Sequence, residues 1–302
     1  MISARTALYG VVGWPVAHSR SPAMQNAAFA ALGLDAAYVG LPVDPARVEE
    51  ALRGAFALGF QGLNVTVPHK QEALAAALSA DEVARAVGAA NTLARAVEGW
   101  KAFNTDAPAC DALLAAAGVK PGQRALLLGA GGAARAALWA LKQRGLEVAI
   151  SARRPEKAAE LAADASGRPA AASELPAPSL GDGSARSRSS FTGEGRGGRG
   201  PIAVLPWPEA RRDSTSFDVV VNATSIGLHA GAPCPVPLRS GQVVLDFVYG
   251  DTPFARAAED AGATFVSGEE VLLRQGMLAL EIWTGRPAPE VAMRAQLQGA
   301  TP

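Results

Sequence analysis

Leu126-Leu127-Leu128-Gly129-Ala130-Gly131-Gly132-Ala133-Ala134-Arg135 decides the fold of this 302-residue chain. The run Arg124–Leu128 is almost wholly apolar and reads as a strand buried on both faces. It leads directly into G-x-G-x-x-A, and a helix follows to about residue 144. A bare glycine pattern is weak, but one set between a strand and a helix is a dinucleotide-binding fingerprint. Gly129 permits the tight turn, Gly131 lets a pyrophosphate approach the backbone, and small Ala134 lets helix and strand pack closely. The phosphates would sit at the helix N-terminus, where unpaired N–H groups and the helix dipole favour anions. The plain alternative is a glycine-rich turn without a ligand.

Downstream, the strand Leu146–Ser151 selects the dinucleotide. NAD sites usually carry Asp or Glu at its tip, about 20 residues past the first glycine. Here the tip reads Ile150-Ser151-Ala152-Arg153-Arg154-Pro155-Glu156-Lys157, with no acid and two guanidinium groups. Paired guanidinium hydrogen bonds suit a 2′-phosphate, so NADP is the expected cofactor. Each Arg could instead be a solvated turn residue, and Lys157 already belongs to a helix over 155–164. Strands over 217–222 and 243–247 and helices over 253–261 and 271–284 continue the series. Residues 166–200 interrupt it with Gly, Ser, Arg, Pro and Ala and almost no large apolar side chains. Such a stretch cannot offset the entropy of ordering, which predicts a disordered surface insertion.

Upstream, strands over 7–13, 37–42 and 63–67 alternate with helices over 21–32, 45–58, 72–78 and 81–87. Segments 92–97 and 99–103 read as a hairpin, and 106–117 as a helix ending at Gly118. Alternation of this kind implies a mostly parallel sheet covered by helices. Ser21-Pro22 opens the first helix, with Ser21 as expected N-cap and Pro22 at the first helical position. Within Asn64-Val65-Thr66-Val67-Pro68-His69-Lys70, Asn64 and Thr66 share one strand face, Pro68 stops the strand, and an amine follows. The chain has 5 Lys against 23 Arg, so a Lys here is not the default cation. Lys can also titrate near neutrality, where Arg cannot. A strand end is a usual place for a small-molecule site, though a solvated Lys explains the residue equally well.

The bulk properties exclude several classes. Lys plus Arg and Asp plus Glu both number 28, so nothing suggests a nucleic-acid footprint. Cys110 and Cys234 stand far apart, and His18, His69 and His229 are scattered, so no metal site is expected and a reducing, cytoplasmic setting fits. No apolar run is long enough for a membrane span. The segment Ala7–Trp14 has a single basic flank, Arg5, and is broken by Trp14-Pro15. It reads as a first strand rather than a cleaved signal.

The ordered motifs resemble the shikimate dehydrogenase family over nearly the whole chain outside 166–200. They are Ser19-Arg20-Ser21-Pro22, Asn64 to Lys70, Gly88-Ala89-Ala90-Asn91-Thr92, Asn104-Thr105-Asp106, Gly129 to Ala133, Asn222 to Gly227, Asp246-Phe247-Val248-Tyr249, and Gln275-Gly276 with Trp283-Thr284-Gly285. The resemblance implies NADP-dependent, reversible reduction of 3-dehydroshikimate to shikimate in aromatic amino-acid (chorismate) biosynthesis. It implies substrate contacts from Ser19, Ser21, Asn64, Thr66, Lys70, Asn91, Asp106, Tyr249 and Gln275, with Lys70 and Asp106 as the catalytic pair. Gly129, Ala130, Gly131, Gly132 and Ala133, then Arg153, Arg154 and Lys157, would hold the cofactor, with Phe247 and Gly268 near the nicotinamide and Glu82 as a further contact. These side chains suit a substrate with one carboxylate and three hydroxyls.

The chain departs from the family's frequent pattern at two motifs, and the insertion over 166–200 is also unusual for it. Asn-Arg-Thr becomes Ala152-Arg153-Arg154, and the Gly three residues after the catalytic Asp becomes Ala109. The expected fold is α/β, with an N-terminal α/β substrate domain over 1–105, rejoined by C-terminal helices over 269–302. A Rossmann-type NADP-binding domain over 106–268 would complete it, with the cleft between the two. Rival readings are a quinate/shikimate dehydrogenase with broader cofactor or substrate use, and a non-catalytic NADP-binding regulator on the same fold. The expected partner is a small-molecule substrate, without nucleic acid or membrane. The motifs do not encode an oligomeric state, and a homodimer is the expectation there.

Overall fold

The computed structural model describes residues 2–166, 202–228 and 233–298. The expected insertion therefore lies outside the described residues, apart from Ser166. The first sheet comprises β1 (Ala7–Gly13), β2 (Ala36–Pro42), β3 (Gly62–Val65), β4 (Ser79–Ala80), β5 (Thr92–Arg95) and β6 (Trp100–Phe103). Its order is β2-β1-β3-β5-β6-β4. Strand β1 runs parallel to β2 and β3, β5 runs antiparallel to β3 and β6, and β4 lies parallel to β6.

The second sheet comprises β7 (Arg124–Leu128), β8 (Glu147–Ser151), β9 (Ala203–Val204), β10 (Val219–Asn222), β11 (Val243–Asp246) and β12 (Thr264–Val266). Every pairing in it is parallel, in the order β12-β11-β10-β7-β8-β9. Numbered within this sheet, that is the 6-5-4-1-2-3 order of a Rossmann domain, whose strand order reverses between β7 and β10. The apolar run in β7 explains the two-faced burial. Leu127 packs with Leu138, Leu141 and Ile150 on one face, while Leu126 and Leu128 pack with Val220, Val244 and Phe254 on the other.

The helices are α1 (Ser21–Ala31), α2 (Val48–Ala57), α3 (Lys70–Ala75), α4 (Glu82–Val87), α5 (Asp106–Ala116), α6 (Gly132–Gln143), α7 (Pro155–Ala165), α8 (Trp207–Asp213), α9 (Pro253–Ala261), α10 (Gly268–Thr284) and α11 (Glu290–Gln298). After the second sheet the chain turns back. Leu273 and Leu280 of α10 and Met293 and Leu297 of α11 join Tyr9, Met24 and Phe29 in the core beside the first sheet. Gly276 permits this docking, because a Cβ there would collide with the end of the Met24 side chain. Its carbonyl accepts a hydrogen bond from Gln25 Nε2 at 2.9 Å.

Several boundaries differ from the sequence expectation. Ser21 is not an N-cap. Arg20 already has near-helical backbone angles, so Ser21 is the first helical residue and Pro22 the second. Ser19 Oγ instead accepts the Ser21 N–H at 3.3 Å. Strand β3 ends at Val65 rather than Val67, because the chain turns at Thr66, whose carbonyl accepts the His69 N–H at 3.0 Å. Helix α3 consequently starts at Lys70, two residues early. Helix α10 starts at Gly268, where the Ser267 side chain caps it. The short strands β4, β9 and β12 and the helix α8 carry too little periodic pattern to be read from sequence.

Candidate active site

Two helix starts meet at the mouth of the first sheet. Lys70 opens α3 and Asp106 opens α5, and Lys70 Nζ donates to Asp106 Oδ2 at 2.6 Å. Their side chains are 11% and 6% exposed, so this is a sheltered ion pair facing a cavity rather than a surface bridge. The start of α5 is a place where the helix dipole favours an acidic side chain. The neighbouring His69 is structural: its ring is buried and its Nε2 lies 2.8 Å from the Val43 carbonyl oxygen.

The pair lines a cleft of about 280 Å³ shared by both sheets. Ser19, Ser21, Asn64, Thr66 and Asn91 come from the first sheet and its helix, Ala133, Phe247 and Tyr249 from the second, and Gly268 and Gln275 from α10. Asn91 is tightly held. Its Oδ1 accepts the Thr105 N–H at 2.7 Å, and its Nδ2 donates to Thr105 Oγ1 at 2.9 Å and to Gln275 Oε1 at 3.4 Å. Tyr249 donates its hydroxyl to the His18 carbonyl at 3.2 Å, a bond that crosses from the second sheet to the first.

The opposite wall is the glycine turn. Gly129 has φ +118°, and a Cβ on it would lie 2.6 Å from the Ala223 carbonyl oxygen. Helix α6 begins at Gly132 with no side chain capping it, so its first N–H groups are free for an anion. A Cβ on Gly132 would lie 2.9 Å from Lys70 Cδ, so the bare glycine lets the Lys stem rest on this turn. Arg153 and Arg154 are exposed just beyond β8 and form no ion pair with other described residues. These features fit a phosphorylated dinucleotide. Lys157 is also exposed but is paired with Glu160 at 2.7 Å. Glu82 is exposed on α4 and does not line the cleft.

Two groups beneath the cleft gave no signal of their own in the sequence. Asp246, at the end of β11, is fully buried and accepts from Asn222 Nδ2 at 2.8 Å, the Val248 N–H at 3.0 Å and the Thr252 hydroxyl at 2.8 Å. Burial pushes its carboxyl up to about 6, against the pull of those three donors. Tyr38, in the middle of β2, donates to Asn64 Oδ1 at 2.7 Å. Asp246 sat within a recognised motif and could have been singled out as an acid at a parallel strand end. Tyr38 looks like any core aromatic.

A Rossmann sheet, a glycine turn free for phosphate and a sheltered Lys–Asp pair in the adjoining cleft define a dinucleotide-dependent oxidoreductase. The family model described as "Shikimate dehydrogenase substrate binding domain" matches residues 11–93, and "Shikimate 5'-dehydrogenase C-terminal domain" matches residues 268–298. A shikimate dehydrogenase (NADP(+)) of Anaeromyxobacter dehalogenans strain 2CP-1 is 57% identical over 300 residues, covering 99% of this chain and 98% of the relative. The crystal structure of shikimate dehydrogenase from Aquifex aeolicus superposes with TM-score 0.82 at 31% identity, covering 99% of this chain and 100% of that one. The Thermus thermophilus enzyme in complex with NADP(H) and shikimate gives TM-score 0.77 at 30% identity, covering 97% and 98%. The chain belongs to the shikimate dehydrogenase family.

Proposed function

We propose that this chain is an NADP-dependent shikimate dehydrogenase that interconverts 3-dehydroshikimate and shikimate. The observation that carries the reading is the Lys70–Asp106 pair at 2.6 Å, placed between a wall of hydroxyl and amide side chains and the glycine turn. Reduction of the ketone needs an electron pair on carbon and a proton on oxygen. NADP(H), when bound, supplies or takes the hydride. The Lys70 ammonium stabilises the negative charge growing on the reacting oxygen and delivers the proton there. Asp106 holds the amine in place and accepts from a substrate hydroxyl. In the reverse direction Lys70 receives the proton.

Ser19 and Ser21, at the start of the 11-residue helix α1, bind the substrate carboxylate with their hydroxyls. Asn64, Thr66, Asn91, Tyr249 and Gln275 bind hydroxyls. Gly129 to Ala133 cradle the pyrophosphate, and Arg153 and Arg154 bind the 2′-phosphate. Phe247 and Gly268 frame the nicotinamide. Lys157 and Glu82 are weaker members of this set, the first already paired and the second outside the cleft lining.

In this reading residues 1–105 with 269–302 form the substrate domain and 106–268 the cofactor domain. A homodimer and a cytoplasmic location belong to the same reading. Two free cysteines suit a reducing compartment, and no helix among the described residues is long and apolar enough to cross a membrane. The test is to incubate pure protein with shikimate and NADP⁺ and follow NADPH absorbance, with quinate and NAD⁺ as the crossed arms. Turnover should be fastest with shikimate and NADP⁺. Preference for quinate or NAD⁺ would favour the broader dehydrogenase, and no turnover in any arm would favour a binding protein.

A further inference from the structure

Tyr38 does not line the cleft and is 2% exposed, yet its phenol reaches a side chain that does. Its hydroxyl donates to Asn64 Oδ1 at 2.7 Å. The orientation of the Asn64 amide is not arbitrary. On its other side lie the Asn91 carbonyl oxygen at 3.2 Å and Thr92 Oγ1 at 3.1 Å. A backbone carbonyl can only accept, so the amide NH₂ must face Asn91 and the amide oxygen must face Tyr38. Both amide hydrogens are then used inside the protein. Burial pushes the Tyr38 phenol well above its ordinary value, so it stays protonated and donates throughout the working pH range. One lone pair on Asn64 Oδ1 is left for the cleft.

We propose that Tyr38 is a positioning residue for substrate binding: by donating to Asn64 it presents that amide to the cleft as a hydrogen-bond acceptor only. Such a group takes a hydroxyl of the substrate and repels a carbonyl. Asn64 therefore reads a hydroxyl that stays a hydroxyl throughout the reaction, not the oxygen that becomes a ketone. The inference rests on the shikimate dehydrogenase reading and refines one contact within it.

The experiment is a double-mutant cycle on the full chain with Tyr38→Phe and Asn64→Ala. Tyr38→Phe should raise KM for shikimate about five- to tenfold, the size of one lost buried hydrogen bond, and by more than kcat falls. KM for NADP⁺ should not change. In the Asn64→Ala background the same change should add less than about twofold, because its route of action is gone. An unchanged shikimate KM, an equal effect in both backgrounds, or a parallel rise in both KM values would overturn the proposal. If Tyr38→Phe fails to fold, Thr92→Val removes an acceptor from the other side of the amide and should raise shikimate KM likewise; an unchanged KM there also overturns it. An active wild type with a flat Tyr38→Phe result counts against Tyr38 alone, whereas a wild type that does not oxidise shikimate defeats both readings.

Discussion

Lys70 and Asp106 owe their meeting to chain reversals that put both side chains at helix starts, one after the turn at Thr66 and one after Asn104-Thr105. A sheltered ion pair is poor evidence of stability, since desolvation offsets most of the attraction. Its position in the wall of the cleft points to chemistry. The two exposed guanidinium groups beyond β8 make a separable claim. Arg153→Ala with Arg154→Ala should raise KM for NADPH by roughly tenfold to a hundredfold and leave KM for NADH nearly unchanged, as charged hydrogen bonds of this kind are lost. An equal loss with both cofactors would contradict the 2′-phosphate assignment. Asp246 makes a pH-dependent one. Its folded value is about 6 against 3.8 for the free side chain, so between those values the folded chain holds a proton that the unfolded chain has released. Its contribution to stability is complete below 3.8 and is lost as pH rises through about 6, a total of about 3 kcal/mol. Denaturant unfolding from about pH 4 to pH 7 should show this downward slope in the wild type relative to Asp246→Asn. Identical slopes in the two proteins would refute the buried charge.

At the scale of elements, the β7–turn–α6 unit is tightly constrained. Gly129 combines positive φ with a carbonyl in the space a Cβ would take, so no side-chain adjustment relieves a substitution. Gly129→Ala should cost at least about 2 kcal/mol in denaturant stability and weaken NADP⁺ binding. A variant as stable as wild type would contradict the observed turn. This unit was also the most legible, because buried strand, glycine turn and amphipathic helix each leave a local pattern. The Lys70 strand end was legible in kind but not in extent. Pro68 announced the stop, while the turn at Thr66 depends on hydrogen bonds that only the folded chain makes. Ser21 shows the same limit: Ser-Pro looks like a cap, but the backbone at Arg20 had already entered the helix. The Tyr38–Asn64 contact joins residues on two strands that are not neighbours in the sheet, so no spacing in the sequence encodes it.

For the whole molecule, sheet order explains where the cleft lies. The strand order of the second sheet reverses between β7 and β10, and its strand ends face the first sheet across the cavity that Lys70 and Asp106 line. Helix α10 then crosses back, carrying Gln275 to Asn91, while Tyr249 reaches His18. The first contact fixes α10 to the first half, and the second ties the two halves together beside the cavity. The alternating series made the two-sheet architecture readable from sequence. The return of α10 was inferable only through the family resemblance that placed Gln275 in the site. The most direct test of the account is Lys70→Ala assayed with shikimate and NADP⁺, with NADP⁺ binding measured on the same protein. Turnover should fall by about 10²- to 10⁴-fold while NADP⁺ affinity stays within about twofold of wild type. Turnover near the wild-type rate would contradict the assignment of Lys70 as the proton-handling group.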